Sequence, residues 1–250
     1  MQRFSHRNVI ITAAASGIGR ATALRLASEG ATVACIDVLD SVHDTAAAIT
    51  AAGGSARAWQ LNVTHRPAVI STFAEIERVL GPTDVLINGV GRSAAEKLGE
   101  FWCSEPAVWD EVIDISLKST MMCCRQIVPG MRERRRGCII NISSVSWLMP
   151  TPTFSEYAAS KAGVVGFTRV LAIELAPFNV RVNAISPGPI DTAATRKHSD
   201  ATRQRVMATI PMGHYGEPDD IAGGVAYLAS DDAKFVTAQN LVIGGGRGIV

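Results

Sequence analysis

The chain has 250 residues, enough for one α/β domain with a large core. Its net charge of +1 gives no general drive toward nucleic acid or a membrane surface. Hydrophobic residues make up 47 %, but in short runs, none approaching the ~18 residues of a spanning helix; Met1 to Asn8 also lack a signal peptide's apolar core, so the expected address is cytoplasmic.

Asn8-Val9-Ile10-Ile11-Thr12 is a short β-rich run, followed at once by Ala13-Ala14-Ala15-Ser16-Gly17-Ile18-Gly19. From Arg20 to Ser28 the pattern is helical, closed by Gly30. Strand, glycine turn and helix are the context of a phosphate-binding loop, because free backbone N–H groups and the helix dipole then face an anion. The next strand, 31–37, ends in Asp37, 18 residues after Gly19, where a carboxylate can accept hydrogen bonds from an adenosine ribose. Further strand candidates recur between helical stretches at 56–61, 84–88, 137–143, 180–186 and 240–243. That alternation implies a parallel sheet covered by helices on both faces, and no repeat or linker divides it.

Long helices are expected near 107–135 and 157–176. The first closes on Arg132, Glu133, Arg134, Arg135 and Arg136, a solvated end whose cations suit the helix dipole. The second opens on Tyr157-Ala158-Ala159-Ser160-Lys161, which stacks a phenol and an ammonium on one helix face. Neither group is a useful base alone, but a cation beside the phenol lowers its pKa and makes the pair a general acid/base. The five cysteines form no C-x-x-C pair and read as buried free thiols, and the scattered histidines suggest no metal cluster.

These features together resemble the short-chain dehydrogenase/reductase family, single-domain branch, over nearly the whole chain. The family's T-G-x-x-x-G-I-G loop matches Thr12 to Gly19, its N-N-A-G stretch falls on Asn88-Gly89-Val90-Gly91, and its catalytic serine on Ser144, 13 residues before Tyr157. Tyr157 and Lys161 match the signature, and Pro187-Gly188 and Pro189-Ile190-Asp191-Thr192 match the segments after the sixth strand. The resemblance implies a Rossmann-like, doubly wound parallel seven-stranded sheet of order 3-2-1-4-5-6-7, with helices on both faces and a substrate lid at about 193–210. It implies that NAD is held by Thr12, Ala14, Ser16, Gly17, Ile18, Gly19, Asp37, Val38, Asn62, Val63, Asn88, Gly89, Tyr157, Lys161, Pro187, Gly188, Ile190 and Thr192. Catalysis falls to Ser144, Tyr157 and Lys161, with Ser116 in the place of the family's active-site asparagine. Two more departures stand out. Ala13 replaces the loop's first glycine and fits only if its φ is negative, and Asn62 replaces an aspartate near the adenine.

Family members commonly form tetramers through the two long helices and the last strand, and Ala158, Ala162, Val165 and Thr168 offer contact positions. Substrate walls would come from Arg92-Ser93-Ala94-Ala95, from Ser146, Trp147, Leu148 and Met149, and from Phe154 beside Ser144 and Tyr157. Trp147, Leu148, Met149 and Phe154 either face an apolar substrate or simply pack; Arg92, Arg196, Lys197 and His198 either receive an anion or are solvated lid charges. The leading expectation is an NAD-dependent secondary-alcohol dehydrogenase or ketone reductase acting on a small molecule. The runners-up are an NADPH-dependent β-ketoacyl carrier-protein reductase, which would want a basic residue near Ser16 or Val38, and a non-catalytic nucleotide-binding scaffold.

Overall fold

The computed structural model describes residues 2–93, 97 and 99–248. Strands and helices alternate: β1 (Asn8–Thr12), α1 (Gly17–Ser28), β2 (Thr32–Asp37), α2 (Val42–Ala51), β3 (Ser55–Gln60), α3 (Arg66–Leu80) and β4 (Val85–Asn88) form the first half. Then follow α4 (Pro106–Ile113), α5 (Ser119–Arg134), β5 (Gly137–Ile142), α6 (Ser155–Leu175), β6 (Val180–Pro187), α7 (Asp200–Met207), α8 (Pro218–Ala229) and β7 (Asn240–Ile243). All seven strands are parallel, in the order 3-2-1-4-5-6-7, as expected of a Rossmann-like doubly wound sheet.

The central strands are largely apolar because both of their faces are covered, whereas the edge strand β3 is partly exposed. Successive side chains point to opposite faces of a strand, so Val9 and Ile11 share one face with Val33, Cys35, Ile87 and Ile140, packed under α1 and α8 through Leu26, Ile221 and Val225. Ile10, Ile36, Leu86, Ile139 and Val182 face the other side, under Phe73 of α3, Ile127 and Met131 of α5, and Leu171 and Leu175 of α6.

A buried polar chain crosses this second layer. Asn88 Nδ2 donates to Asn141 Oδ1 at 2.8 Å, and Asn141 Nδ2 donates to Thr168 Oγ1 at 2.9 Å, linking β4, β5 and α6. The helix expected over 107–135 is instead α4 and α5 joined by a π-helical turn, Asp114–Lys118, which holds Ser116 fully buried. Such wide single turns cluster at functional sites.

Three readings of the surface change. The arginines that close α5 are not simply solvated: Arg134 donates to Thr83 O, Arg135 to Pro177 O, Arg136 pairs with Asp84, and Arg132 stacks 4.5 Å over Phe178. Cys103 is exposed, whereas the other four thiols are buried. Val165 and Thr168 point into the subunit and cannot be contact positions, whereas Ala162 is exposed; Met121, Val170 and Ile173 are the large exposed apolar residues of α5 and α6.

Candidate active site

The C-terminal strand ends converge on a cleft of about 630 Å³. Ser16, Gly17, Ile18 and Gly19 line it from the first turn, Asp37 and Val38 from the end of β2, Asn62 and Val63 from the end of β3, Gly89 to Arg92 from the end of β4, and Thr192 from the chain after β6. The glycine turn is tight. Gly17 has φ +52°, and a Cβ on Gly19 would collide with Ala13 O. Asp37 is clamped by two backbone donors, Ala15 N–H at 3.0 Å and Leu39 N–H at 3.1 Å, which leaves lone pairs directed to the cleft. Asn62 Oδ1 accepts from Thr64 N and Oγ1, closing a local turn.

Not every expected residue faces the cleft. Thr12 is buried and its hydroxyl accepts from Gly89 N at 3.0 Å, tying β1 to β4. Ala14 is buried, with its carbonyl bonded to Thr45 Oγ1, and Asn88 is spent in the polar chain below. These three position the cleft from behind.

Ala13 contradicts the negative φ that would have suited it, for it stands at φ +60°. A second departure lies beside it. Residue 89, an asparagine in the family pattern, is glycine here, and a Cβ there would lie 3.6 Å from Ala13 Cβ and only 2.5 Å from Thr12 O.

The candidate acid/base pair of the sequence, Tyr157 and Lys161, lies on α6. Lys161 is 2 % exposed, and its Nζ donates to Ile142 O at 2.9 Å, while Ser143 Oγ donates back to Lys161 O at 2.8 Å. These two bonds pin the helix to the end of β5. Tyr157 lies one turn earlier, with Lys161 Nζ 5.8 Å from its ring centroid and Phe154 edge-on at 6.3 Å. The expected lowering of the phenol pKa by the lysine is not what the geometry gives. Burial pushes Tyr157 up, and a hydrogen bond with the Ser144 side chain pulls it partly back. Burial likewise brings the Lys161 ammonium down to about 8, which weakens it as a permanent cation. Gly91 is the contact that sequence reading passed over: a Cβ there would collide with Lys161 Nζ, lie 3.0 Å from its Cε and 3.6 Å from Ser116 Oγ. Lys161 and Ser116 therefore close on one glycine at the cleft wall. Ser116 Oγ itself donates to Arg92 O at 3.4 Å.

The substrate side is less open than expected. Trp147 Nε1 donates to Ser186 Oγ at 3.1 Å, so the indole braces the loop against β6. Ser146 N donates to Ser144 Oγ at 3.2 Å and orients it; Leu148 is exposed. Pro187 is buried, Gly188 N bonds Ile243 O, and Ile190 is buried beside Gly216, so these three brace the end of β6. Arg92 is paired with Glu111, and Arg196 with Asp191, which also binds Arg203. Ala94 and Ala95 lie outside the described residues.

A family described as enoyl-(acyl carrier protein) reductase matches residues 12–247. The chain belongs to the short-chain dehydrogenase/reductase family. It is 38 % identical to a 3-oxoacyl-[acyl-carrier-protein] reductase from Thermotoga maritima, over 98 % of each chain. Among solved structures it matches levodione reductase with a TM-score of 0.94 and 32 % identity, covering 99 % of this chain and 100 % of that one. A 3-oxoacyl-[acyl-carrier protein] reductase from Brucella melitensis with bound NAD matches at TM-score 0.91 and 33 % identity, over 100 % and 94 % of the two chains. The chain is thus an oxidoreductase of this family, and no helix among the described residues is long and apolar enough to cross a membrane.

Proposed function

We propose that this chain is a single-domain, NAD-linked oxidoreductase that interconverts a secondary alcohol and a ketone, with the segment at about 193–210 as a lid. The cleft suits a dinucleotide: its glycine turn is left-handed at Gly17 and admits no side chain at Gly19, and its far end carries the clamped Asp37. When bound, the nicotinamide supplies hydride transfer. Ser144 donates a hydrogen bond to the substrate oxygen, and Tyr157 gives or takes the proton at that atom. Lys161 holds the ribose side and passes protons outward through a water shared with Ser116, whose hydroxyl can both donate and accept.

Asp37 carries the choice of NAD. Among the described residues lining the cleft, Arg92 is the one basic side chain, and it is paired with Glu111, so nothing there offsets a 2′-phosphate against this carboxylate. Two like charges ~4 Å apart repel by ~1 kcal/mol even in water, and by more when partly buried. Steady-state kinetics should show a kcat/KM at least about tenfold higher with NAD than with NADP, a gap that Asp37→Ala narrows. Equal use of both cofactors by the wild type would overturn the reading.

A second reading concerns the substrate. The relatives' names favour a 3-oxoacyl group on a carrier protein, usually reduced with NADPH. Assaying acetoacetyl carrier protein beside a panel of cyclic and aromatic secondary alcohols separates the two. A cytoplasmic address belongs to this reading, and five free cysteines are in keeping with it. So does a homotetramer: Met121, Val170 and Ile173 on one face, and Tyr227 and Phe235 near β7, are exposed apolar surface that subunit pairing would cover.

A further inference from the structure

The chain between β6 and α7 does two jobs with one short turn. Thr192, Ala193 and Ala194 line the cleft, and a Cβ on Gly17 would lie 3.4 Å from Thr192 Cγ2, so this wall stands against the glycine turn. The turn is also bonded across itself: Thr195 Oγ1 accepts from Thr192 N at 2.9 Å and donates to Ile190 O at 2.8 Å. Its start is fixed to the segment that returns from α7, because Asp191 N donates to Gly216 O at 2.7 Å and Gly216 N to Pro189 O at 3.0 Å. These bonds make residues 190–195 one unit.

The helix α7 hangs on that unit. It has no buried residue, so apolar packing does little to hold it in place. Arg203 of α7 reaches back instead: its Nη1 donates to Asp191 Oδ1 at 3.1 Å and to Thr195 O at 3.3 Å, and its guanidinium lies 4.7 Å over the Tyr215 ring. One side chain is thus gripped by a carboxylate before the helix and an aromatic face after it. The other oxygen of Asp191 takes Arg196 at 3.1 Å, but that arginine is 62 % exposed, against 28 % for Arg203. Exposed ion pairs are worth little, whereas a charge-assisted bond that is partly shielded and backed by a ring is stronger. Arg203 is the contact that fastens the helix.

We propose that Asp191 is a positioning residue that ties the place of α7 to the filling of the cleft. The inference rests on the reading above, in which the segment at about 193–210 is a lid and the cleft holds NAD. Thr192 stands in the cleft wall, and Asp191, its neighbour in the same bonded turn, carries any shift of that wall to α7 through Arg203. The coupling is reciprocal: the factor by which a docked α7 favours NAD is the factor by which NAD favours docking. Loosening the carboxylate therefore frees the helix and weakens the cofactor together.

Hydrogen exchange of the α7 amides, followed by mass spectrometry with and without NAD, tests this. In the wild type, saturating NAD should slow that exchange at least about fivefold. In Asp191→Ala the helix should exchange faster in the free protein, NAD should no longer slow it, and NAD affinity by calorimetry should fall several-fold. Asp191→Asn, which keeps an acceptor without the charge, should fall between. Asp231→Asn cuts the pair with Arg7 at the opposite edge of the sheet and should leave all three readings as in the wild type. NAD that binds the wild type without slowing α7, or a slowing that survives Asp191→Ala, would overturn the proposal; a merely structural bond would lower the melting temperature and leave the response to NAD intact. If Asp191→Ala does not fold, Arg203→Met decides by the same readings. A wild type that binds no NAD would refute the cofactor reading instead, and the tie is then judged in the free proteins, where α7 exchange in Asp191→Ala no faster than in the wild type would sink it.

Discussion

Gly91→Ala places one methyl group against the lysine of the acid/base pair. The backbone at Gly91 is not in the left-handed region, so alanine fits the chain, and the cost falls on what the methyl meets. That is the far end of Lys161, with Cε at 3.0 Å and Nζ nearer still, so the flexible side chain must retreat by about 1 Å to reach ordinary van der Waals separation. Its 2.9 Å bond to Ile142 O would then stretch past hydrogen-bonding reach, leaving a buried ammonium short of an acceptor at a cost of ~1–3 kcal/mol. A misplacement of ~1 Å at a reacting group typically costs ~10²-fold in rate. At saturating NAD and substrate, kcat should therefore fall about a hundredfold. For a chain of this size ~1–3 kcal/mol also lowers the melting temperature by several degrees. Gly99→Ala, where an added Cβ has nothing within 4 Å, is the control and should leave both quantities near wild type. Wild-type kcat in Gly91→Ala would show that the position of Lys161 does not matter to turnover. A collapse of the fold would show that Gly91 acts on stability instead.

Tyr157→Phe removes the proton-transfer group and leaves the cleft intact; turnover should drop by at least about a hundredfold while NAD affinity, read by fluorescence titration, stays within a few-fold. Because burial brings Lys161 down to about 8, its ammonium is present below that pH and lost above it. Ketone reduction should accordingly decline as the pH rises through about 8, and a flat profile between pH 7 and 10 would contradict this. Ala13→Gly should stabilise the protein: a left-handed alanine costs ~1–2 kcal/mol, and the looser unfolded glycine chain returns only ~0.4–1. Scanning calorimetry should register a rise of a few degrees, and a fall would show that the Ala13 methyl packs better than its backbone suggests.

The sheet and the nucleotide cleft were legible because both rest on short-range patterns. Apolar runs at regular spacing give parallel strands, and Gly17, Gly19 and Asp37 stand where a phosphate loop and a ribose acceptor require them. What escaped depends on long-range contact. Thr12, Ala14 and Asn88 carry the family's pattern at the cleft, yet they act from behind it, because Thr12 Oγ1, Ala14 O and Asn88 Nδ2 are bonded within the fold. Trp147 reads as a substrate wall until its partner Ser186, 39 residues away, is known. Nothing in Ile243 to Gly248 announces where the C-terminal turn packs; only folding brings it against Val145. The pKa of Tyr157 escapes the sequence for the same reason, since i to i+4 spacing shows a neighbouring cation but not the burial that pushes the phenol up.

The amide chain from Asn88 through Asn141 to Thr168 has a mechanical consequence. It fastens the last strand of the nucleotide half to the first strand of the catalytic half and to the helix that carries Tyr157 and Lys161. Sliding any of the three elements by one residue would turn these side chains to the wrong face and strand buried amides without partners. A hinge between the halves is thereby closed off, and the distance from the glycine turn to Tyr157 is set when the chain folds. The outer segments are tied down more lightly: the short helix α7 has no buried residue and is held mainly by Arg203 through Asp191 and the face of Tyr215, so on the lid reading proposed above it is the element free to move.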